Sequence, residues 1–191
     1  QAGKHIFLEA PVGTDAPGVR RVVAAGVQAK SKGLSLAVGL HCRLEKRFQE
    51  TIRRLQDGAI GQIVLTRTYW NGHSLRSHPR QPNRPELEHQ LRDSRQFVWL
   101  SGDHIVQTQV HNLDVVNWLN RGHPLECQGI SGLRPETDTR HGQVCDHHFV
   151  EFTYGDGLKF FSQCRCKTGT WKNVSLHVHG TQGFADLGAG R

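Results

Sequence analysis

The chain has 191 residues, 36% of them hydrophobic, and a formal net charge of +7. Its mean hydropathy is -0.52. No run approaches the roughly 18 consecutive apolar residues of a membrane span. The basic residues do not gather into a stripe: Arg20-Arg21 and Arg53-Arg54 fall within helical patterns, and the densest group lies in a Pro-rich stretch from Arg76 to Arg95. Without stacking aromatics or a known motif beside them, they argue against nucleic-acid binding. Five cysteines without paired spacing point to reduced thiols and a cytoplasmic setting. Methionine is absent and a strand-like pattern begins at once, so the chain is expected to be part of a longer one.

In chain order, His5–Leu8 reads as a short buried strand. Thr14 is the expected cap of a helix with Val19, Val22, Val23 and Val27 along one side, stopped by Gly33. Leu34–Leu40 reads as a second buried strand, so the three form a βαβ unit with parallel strands. Glu45–Asp57 is an amphipathic helix closed by Gly58, and Ile63–Trp70 alternates as a strand running into Asn71-Gly72. From His73 to Gln96 the periodicity dissolves, which predicts a long loop or insert.

Ser101–Leu119 is predicted to be one helix, started by Ser101 or Asp103 and stopped by Gly122 and Pro124. It is apolar around much of its circumference, yet Gln107, His111, Asp114 and Trp118 form a single stripe along it. Buried polar groups cost free energy unless paired. The stripe therefore marks either a hydrogen-bonded core histidine with Asp114 as partner, or the wall of a binding site with His111 handling a proton. Strands follow near 125–129, 146–154, 158–166, 171–180 and 184–187, with Tyr154-Gly155-Asp156-Gly157 as a hairpin turn. The layout is a mostly antiparallel sheet with the central helix on one face.

Thirteen histidines invite a metal reading. His177/His179, Cys164/Cys166 and Asp146-His147-His148 each lack the spaced pairs of a closed zinc site, so no metal site is assigned. A polar sheet face turned to solvent, substrate or a partner subunit accounts for them. No G-x-S-x-G and no G-x-G-x-x-G is present.

Several stretches together resemble the Gfo/Idh/MocA oxidoreductases, the glucose-fructose oxidoreductase and inositol dehydrogenase group. Gly3–Val12 resembles that family's G-K-H-V-x-x-E-K-P strand and turn. Ala37–Leu40 through Arg43, Phe48 and Leu55 to Asp57-Gly-Ala-Ile-Gly61 resembles its next strand, helix and I-G turn. Gly102 through His111 and Asp114 to Leu119 resembles its D-x-x-x-H-x-x-D helix, and His179-Gly-Thr-Gln-Gly183 its late H-G-T-x-G. The resemblance implies two domains: residues 1–41 as the end of a Rossmann-like nucleotide-binding domain, and 42–191 as an open-faced α/β domain. The second would carry substrate and a homo-oligomer interface on its sheet. It implies NAD or NADP as cofactor and a sugar or cyclitol hydroxyl as substrate.

Carried over residue by residue, the family's proton-handling set is depleted. The E-K-P lysine falls on Ala10, which cannot bond a hydroxyl, and the helix acid falls on Gln107, which cannot carry a proton at neutral pH. A position often basic in the family is Cys42, beside Arg43. His111 remains as the proton group, with Gln107 and Asp114 to orient it. Glu9, Ala10 and Pro11 are the cofactor-side turn, with a cis bond expected before Pro11. Arg43, Trp70, Asn71 and His73 are the substrate-side candidates. Losing general acid–base help costs about two to four powers of ten in rate, so a catalytically impaired dehydrogenase is expected. The alternatives are a non-catalytic sugar-binding or assembly protein on the same fold, and an NAD-dependent glycosidase.

Overall fold

The computed structural model describes residues 2–72, 78–133 and 142–188. It begins with β1 (Ile6–Leu8), α1 (Ala16–Ser31) and β2 (Leu36–Val38), the two strands parallel with Phe7 opposite Ala37. The α1 cap is Asp15, one residue later than expected: its carboxylate accepts the Gly18 N–H at 2.7 Å, while the Thr14 hydroxyl turns to the Trp99 carbonyl. β1 was expected to be buried and is not. Ile6, Phe7, Val19, Val23 and Val27 are all exposed, because a two-stranded sheet with one helix supplies no second layer to cover them.

The remainder is built on a six-stranded sheet. Its strands are β3 (Ile63–Gly72), β4 (Glu126–Gly132), β5 (His147–Thr153), β6 (Lys159–Cys166), β7 (Asn173–Gly180) and β8 (Phe184–Asp186). Spatial order is β4-β5-β6-β3-β7-β8. Every pairing is antiparallel except β3 with β6 at the centre, where Trp70 lies opposite Cys164. The expected Tyr154–Gly157 hairpin joins β5 to β6, with Gly157 left-handed and Asp156 accepting the Leu158 N–H.

One face of this sheet carries the core. Helix α2 (Lys46–Gln56) contributes Phe48, Ile52 and Leu55. These pack with Val115, Val116 and Leu119, and with Phe160, Leu176 and Val178 from the central strands. The opposite face stays open, with Ile130 and Phe149 exposed on it and Phe149 stacked against Phe161 at 6.2 Å. Within 73–96, residues 73–77 lie outside the described region, and the rest is not all loop. Helix α3 spans Glu86–Arg92 and buries no side chain. Pairs one turn apart hold it, Gln90 to Glu86 and Arg92 to Glu88, so no apolar period announces it.

Two of the short motifs meet in space. Thr181 accepts the Gln62 N–H through its hydroxyl and donates its own N–H to the Gln62 carbonyl, while the Gln182 N–H reaches the Ile60 carbonyl. A Cβ on Gly180 would stand 2.2 Å from the Ile60 oxygen, and one on left-handed Gly61 would stand 2.3 Å from the Thr181 hydroxyl. Both turns therefore need glycine to approach. Gly180→Ala is expected to destabilise the chain by about 3 kcal/mol, the upper range for forced overpacking, measurable by urea denaturation. A loss below about 1 kcal/mol would show that the two turns can part without cost.

Candidate functional site

The predicted single helix from Ser101 to Leu119 is three. Helix α4 (Val98–Ser101) ends at left-handed Gly102, α5 (Asp103–Gln107) follows at once, and α6 (Val110–Leu119) starts after Thr108 and Gln109. The cause is local. Gly102 and Asp103 both sit at φ 71°, and the Thr108 hydroxyl bonds back to the His104 carbonyl at 2.8 Å, the back-bond that bends helices. The C-terminus also differs: Arg121, not Gly122, takes the left-handed position, and the Gly122 N–H closes on the Asn117 carbonyl. Gln107 and His111 consequently sit on separate helices.

His111 is half-buried on α6, its ring 4.5 Å from that of His41 and 6.2 Å from that of Trp70. Its Nδ1 is buried without a hydrogen-bond partner among the described residues, and so is the Gln107 Oε1. Burial, with the neighbouring His41, holds the imidazole below the usual histidine range, against the pull of Asp114 and Glu9. The ring is neutral at neutral pH and free to accept a proton.

Asp114 is engaged elsewhere. It takes both fork nitrogens of Arg43, at 2.7 and 2.8 Å, and the guanidinium lies 5.3 Å from the Trp118 ring centre. This fixes the short 3₁₀ turn His41–Leu44 to α6, and with it His41 beside His111. Cys42 in that turn is buried, its thiol pushed up to about 11 mainly by burial, so it is inert.

Ala10–Pro11 is cis, and Glu9 lies close enough to His111 for its charge to be felt. Gly39, at the end of β2, abuts the Glu9 carboxylate: a Cβ there would stand 2.5 Å from Oε2. β3 runs past the expected Trp70 to Gly72, so Trp70 and Asn71 both lie within it and leave on opposite faces. Trp70 faces His111, whereas Asn71 is 1% exposed with no partner for its amide among the described residues. The fold does not bring Asn71 to the imidazole. His73 lies outside the described residues.

Residue-by-residue inspection missed a buried polar link. Gln109, 0% exposed, donates from Nε2 to the hydroxyls of Thr68 on β3 and Ser162 on β6, both at 2.8 Å. Asn112 donates to the Tyr69 carbonyl at 3.2 Å. Beyond α5, the donor atoms of Asp103, Cys145 and His148 all lie within 4.8 Å of one another. Cys145 and His148 stand three apart, a C-x2-H spacing that was legible. Asp103, 42 residues upstream, was not. His104 beside them is buried, which pushes it down to about 4.

The family model for the GFO/IDH/MocA C-terminal domain matches residues 48–186. The chain belongs to the GFO/IDH/MocA family. It is 24% identical over 186 residues to inositol 2-dehydrogenase of Rhizobium meliloti (strain 1021), covering 96% of this chain and 49% of that protein. Solved structures also share the fold. Two of them are the aldose-aldose oxidoreductase of Caulobacter crescentus complexed with glycerol (TM-score 0.76, 19% identity, 98% and 50% of the two chains) and a super-repressor mutant of Gal80p from Saccharomyces cerevisiae (TM-score 0.73, 16% identity, 97% and 48%). The chain spans about half the length of these relatives. No described helix is long and apolar enough to cross a membrane.

Within the GFO/IDH/MocA fold, Gln109 holds the helix carrying His111 to the sheet. Gln109→Leu keeps the volume and strips two buried hydroxyls of their donor, so a loss of about 2 kcal/mol is expected, read from chemical denaturation. The Arg43–Asp114 fork is half-exposed. A double-mutant cycle with Arg43→Ala and Asp114→Ala is expected to give a coupling of about 1 kcal/mol, and a coupling of zero would remove its structural role.

Proposed function

We propose that this chain is the substrate-side portion of an NAD(P)-dependent oxidoreductase acting on a sugar or cyclitol hydroxyl, with its proton-handling set reduced to His111. The supporting observation is the buried His111 Nδ1, without a partner among the described residues, on a ring set beside Trp70 and His41 and within reach of the Glu9 charge; the Gln107 Oε1 on the preceding helix is likewise buried without a described partner. A buried polar atom without a protein partner can be satisfied by a bound ligand or water.

The residues present fit one side of a nicotinamide cofactor. Glu9–Pro11 and Gly39 follow the carboxyl ends of two parallel strands, where ligands of open α/β sheets bind. The uncovered Ile6, Phe7, Val19, Val23 and Val27 suit a nucleotide-binding domain whose remaining layer, with the phosphate site, is supplied outside this chain. On this reading residues 1–41 close that domain and 42–191 form the substrate domain. When bound, NAD(P) supplies the hydride acceptor. The chain's own task is the hydroxyl proton: a neutral imidazole accepts it, Gln107 offers a hydrogen bond but no proton, and Trp70 and the Arg43 fork shape the wall. Ala10 adds nothing, so turnover is low.

The open sheet face, with Ile130, Phe149 and Phe161, is the proposed homo-oligomer contact, and five unpaired thiols suit a reducing, cytoplasmic compartment. A second reading, a non-catalytic sugar-binding or assembly protein, has support from Ala10, Gln107 and the fold shared with a super-repressor form of Gal80p. In an NAD-dependent glycosidase, turnover would leave no net reduced cofactor.

The test is hydride transfer by the full-length protein across a sugar and cyclitol panel. We expect slow turnover that falls at least about 100-fold in His111→Ala and rises in Ala10→Lys with Gln107→Asp. Because the His111 proton affinity is lowered, activity should hold as pH drops through about 6.5, the ordinary histidine value, and fail only below it. Turnover unchanged in His111→Ala removes the role of His111, and no turnover even in the restored variant favours the non-catalytic reading.

A further inference from the structure

We infer that Asp103, Cys145 and His148 form a binding site for a divalent transition ion of the zinc class. The three donors come from the start of α5, the segment before β5, and β5 itself. Asp103 is 9% and His148 8% exposed, and Cys145 is half-buried. This is a walled position and not a surface scatter of acids.

The spacing that serves an Asp–His hydrogen bond also suits two ligands of one ion. The Asp103 Oδ1 and His148 Nε2 are 3.2 Å apart. Two ligands held about 2.0–2.1 Å from one tetrahedral centre lie about 3.3 Å from each other, from the bond lengths of zinc sites. The Cys145 sulfur lies within 4.8 Å of both donor atoms, so three groups of different chemistry converge on one point.

The backbone holds the carboxylate in place. Asp103 occupies the left-handed region at φ 71°, a costly conformation for a residue with a Cβ. There it accepts the N–H of His104 at Oδ1 and that of Cys145 at Oδ2, the latter at 3.1 Å. Cys145 is therefore tethered to the carboxylate whether or not an ion is bound. One thiolate, one carboxylate and one neutral imidazole carry two negative charges, which a divalent ion cancels in a poorly solvated site. Binding would release the thiol proton.

The donor set decides the ion class. Magnesium and calcium need six or more oxygens, and only one residue here offers any. A sulfur–nitrogen–oxygen set suits zinc or its neighbours. Three protein ligands leave a fourth position for solvent or an exogenous group. The ion would clip the segment around Val144-Cys145 onto α5 and β5.

Cobalt(II) serves as the probe, added to the chelator-stripped chain. We expect one equivalent bound, with thiolate-to-cobalt charge-transfer absorption that zinc abolishes by displacement. Cys145→Ser should remove that absorption while Cys127→Ser and Cys166→Ser retain it, and His148→Gln should weaken zinc binding at least about tenfold. X-ray absorption at the zinc edge of the unmodified chain needs no variant to fold, and should show one sulfur among nitrogen and oxygen neighbours. Failure to bind at equimolar metal overturns the inference, as does charge transfer that survives Cys145→Ser or a zinc shell without sulfur.

Discussion

The placement of α6 across the parallel β3–β6 seam is the contact on which the rest depends. Val115 and Val116 are fully buried there, and Leu119 nearly so, in one layer with Phe160, Leu176 and Val178. Apolar contact alone would let a helix slide along such a sheet. The Gln109 amide removes that freedom, because its two N–H groups must meet hydroxyls on two different strands or be left unpaired in the core. Register follows from that penalty, and His111 comes to rest over Trp70.

The same placement explains why the polar residues of the helical region divide into unlike roles. Gln109 and Asn112 face the sheet and are satisfied within it. Asp114 faces outward to the Arg43 fork, which carries His41 with it. His111 Nδ1 and Gln107 Oε1 are buried without a partner among the described residues. The residues that hold the helices in place have partners, while the two to which the proposed function assigns the substrate hydroxyl keep unused hydrogen-bonding capacity among the described residues.

The motifs shared with the GFO/IDH/MocA family separate in the same way. The Ile60-Gly61 turn and the His179–Gly183 turn bind each other through backbone and the Thr181 hydroxyl, so their glycines serve close packing. The Glu9–Pro11 turn and the central helix hold the residues to which the proposed function assigns chemistry, and there Ala10 and Gln107 stand where the resemblance implies a lysine and an acid.

Much of the architecture was legible in the residues themselves. Period-two and period-3.6 patterns, Gly stops and the Tyr154–Gly157 turn located the strands and α2, because those signals are local consequences of backbone sterics and of one-sided burial. Helix α3 was not legible, since ion pairs and not an apolar stripe support it. Nor was the break at Gly102-Asp103 and Thr108, where side-chain bonds to the backbone overrode a continuous helical pattern. Burial of β1 and α1 was misjudged because pattern shows which face is apolar and not whether anything covers it. The Arg43–Asp114 fork, the Gln109 link and the Asp103–Cys145–His148 cluster join residues 71, 41 or more, and 42–45 positions apart. Local sequence determined the elements and their apolar faces; which polar groups meet was decided only when strand order closed those separations, since pairing energies depend on distances that no local pattern encodes.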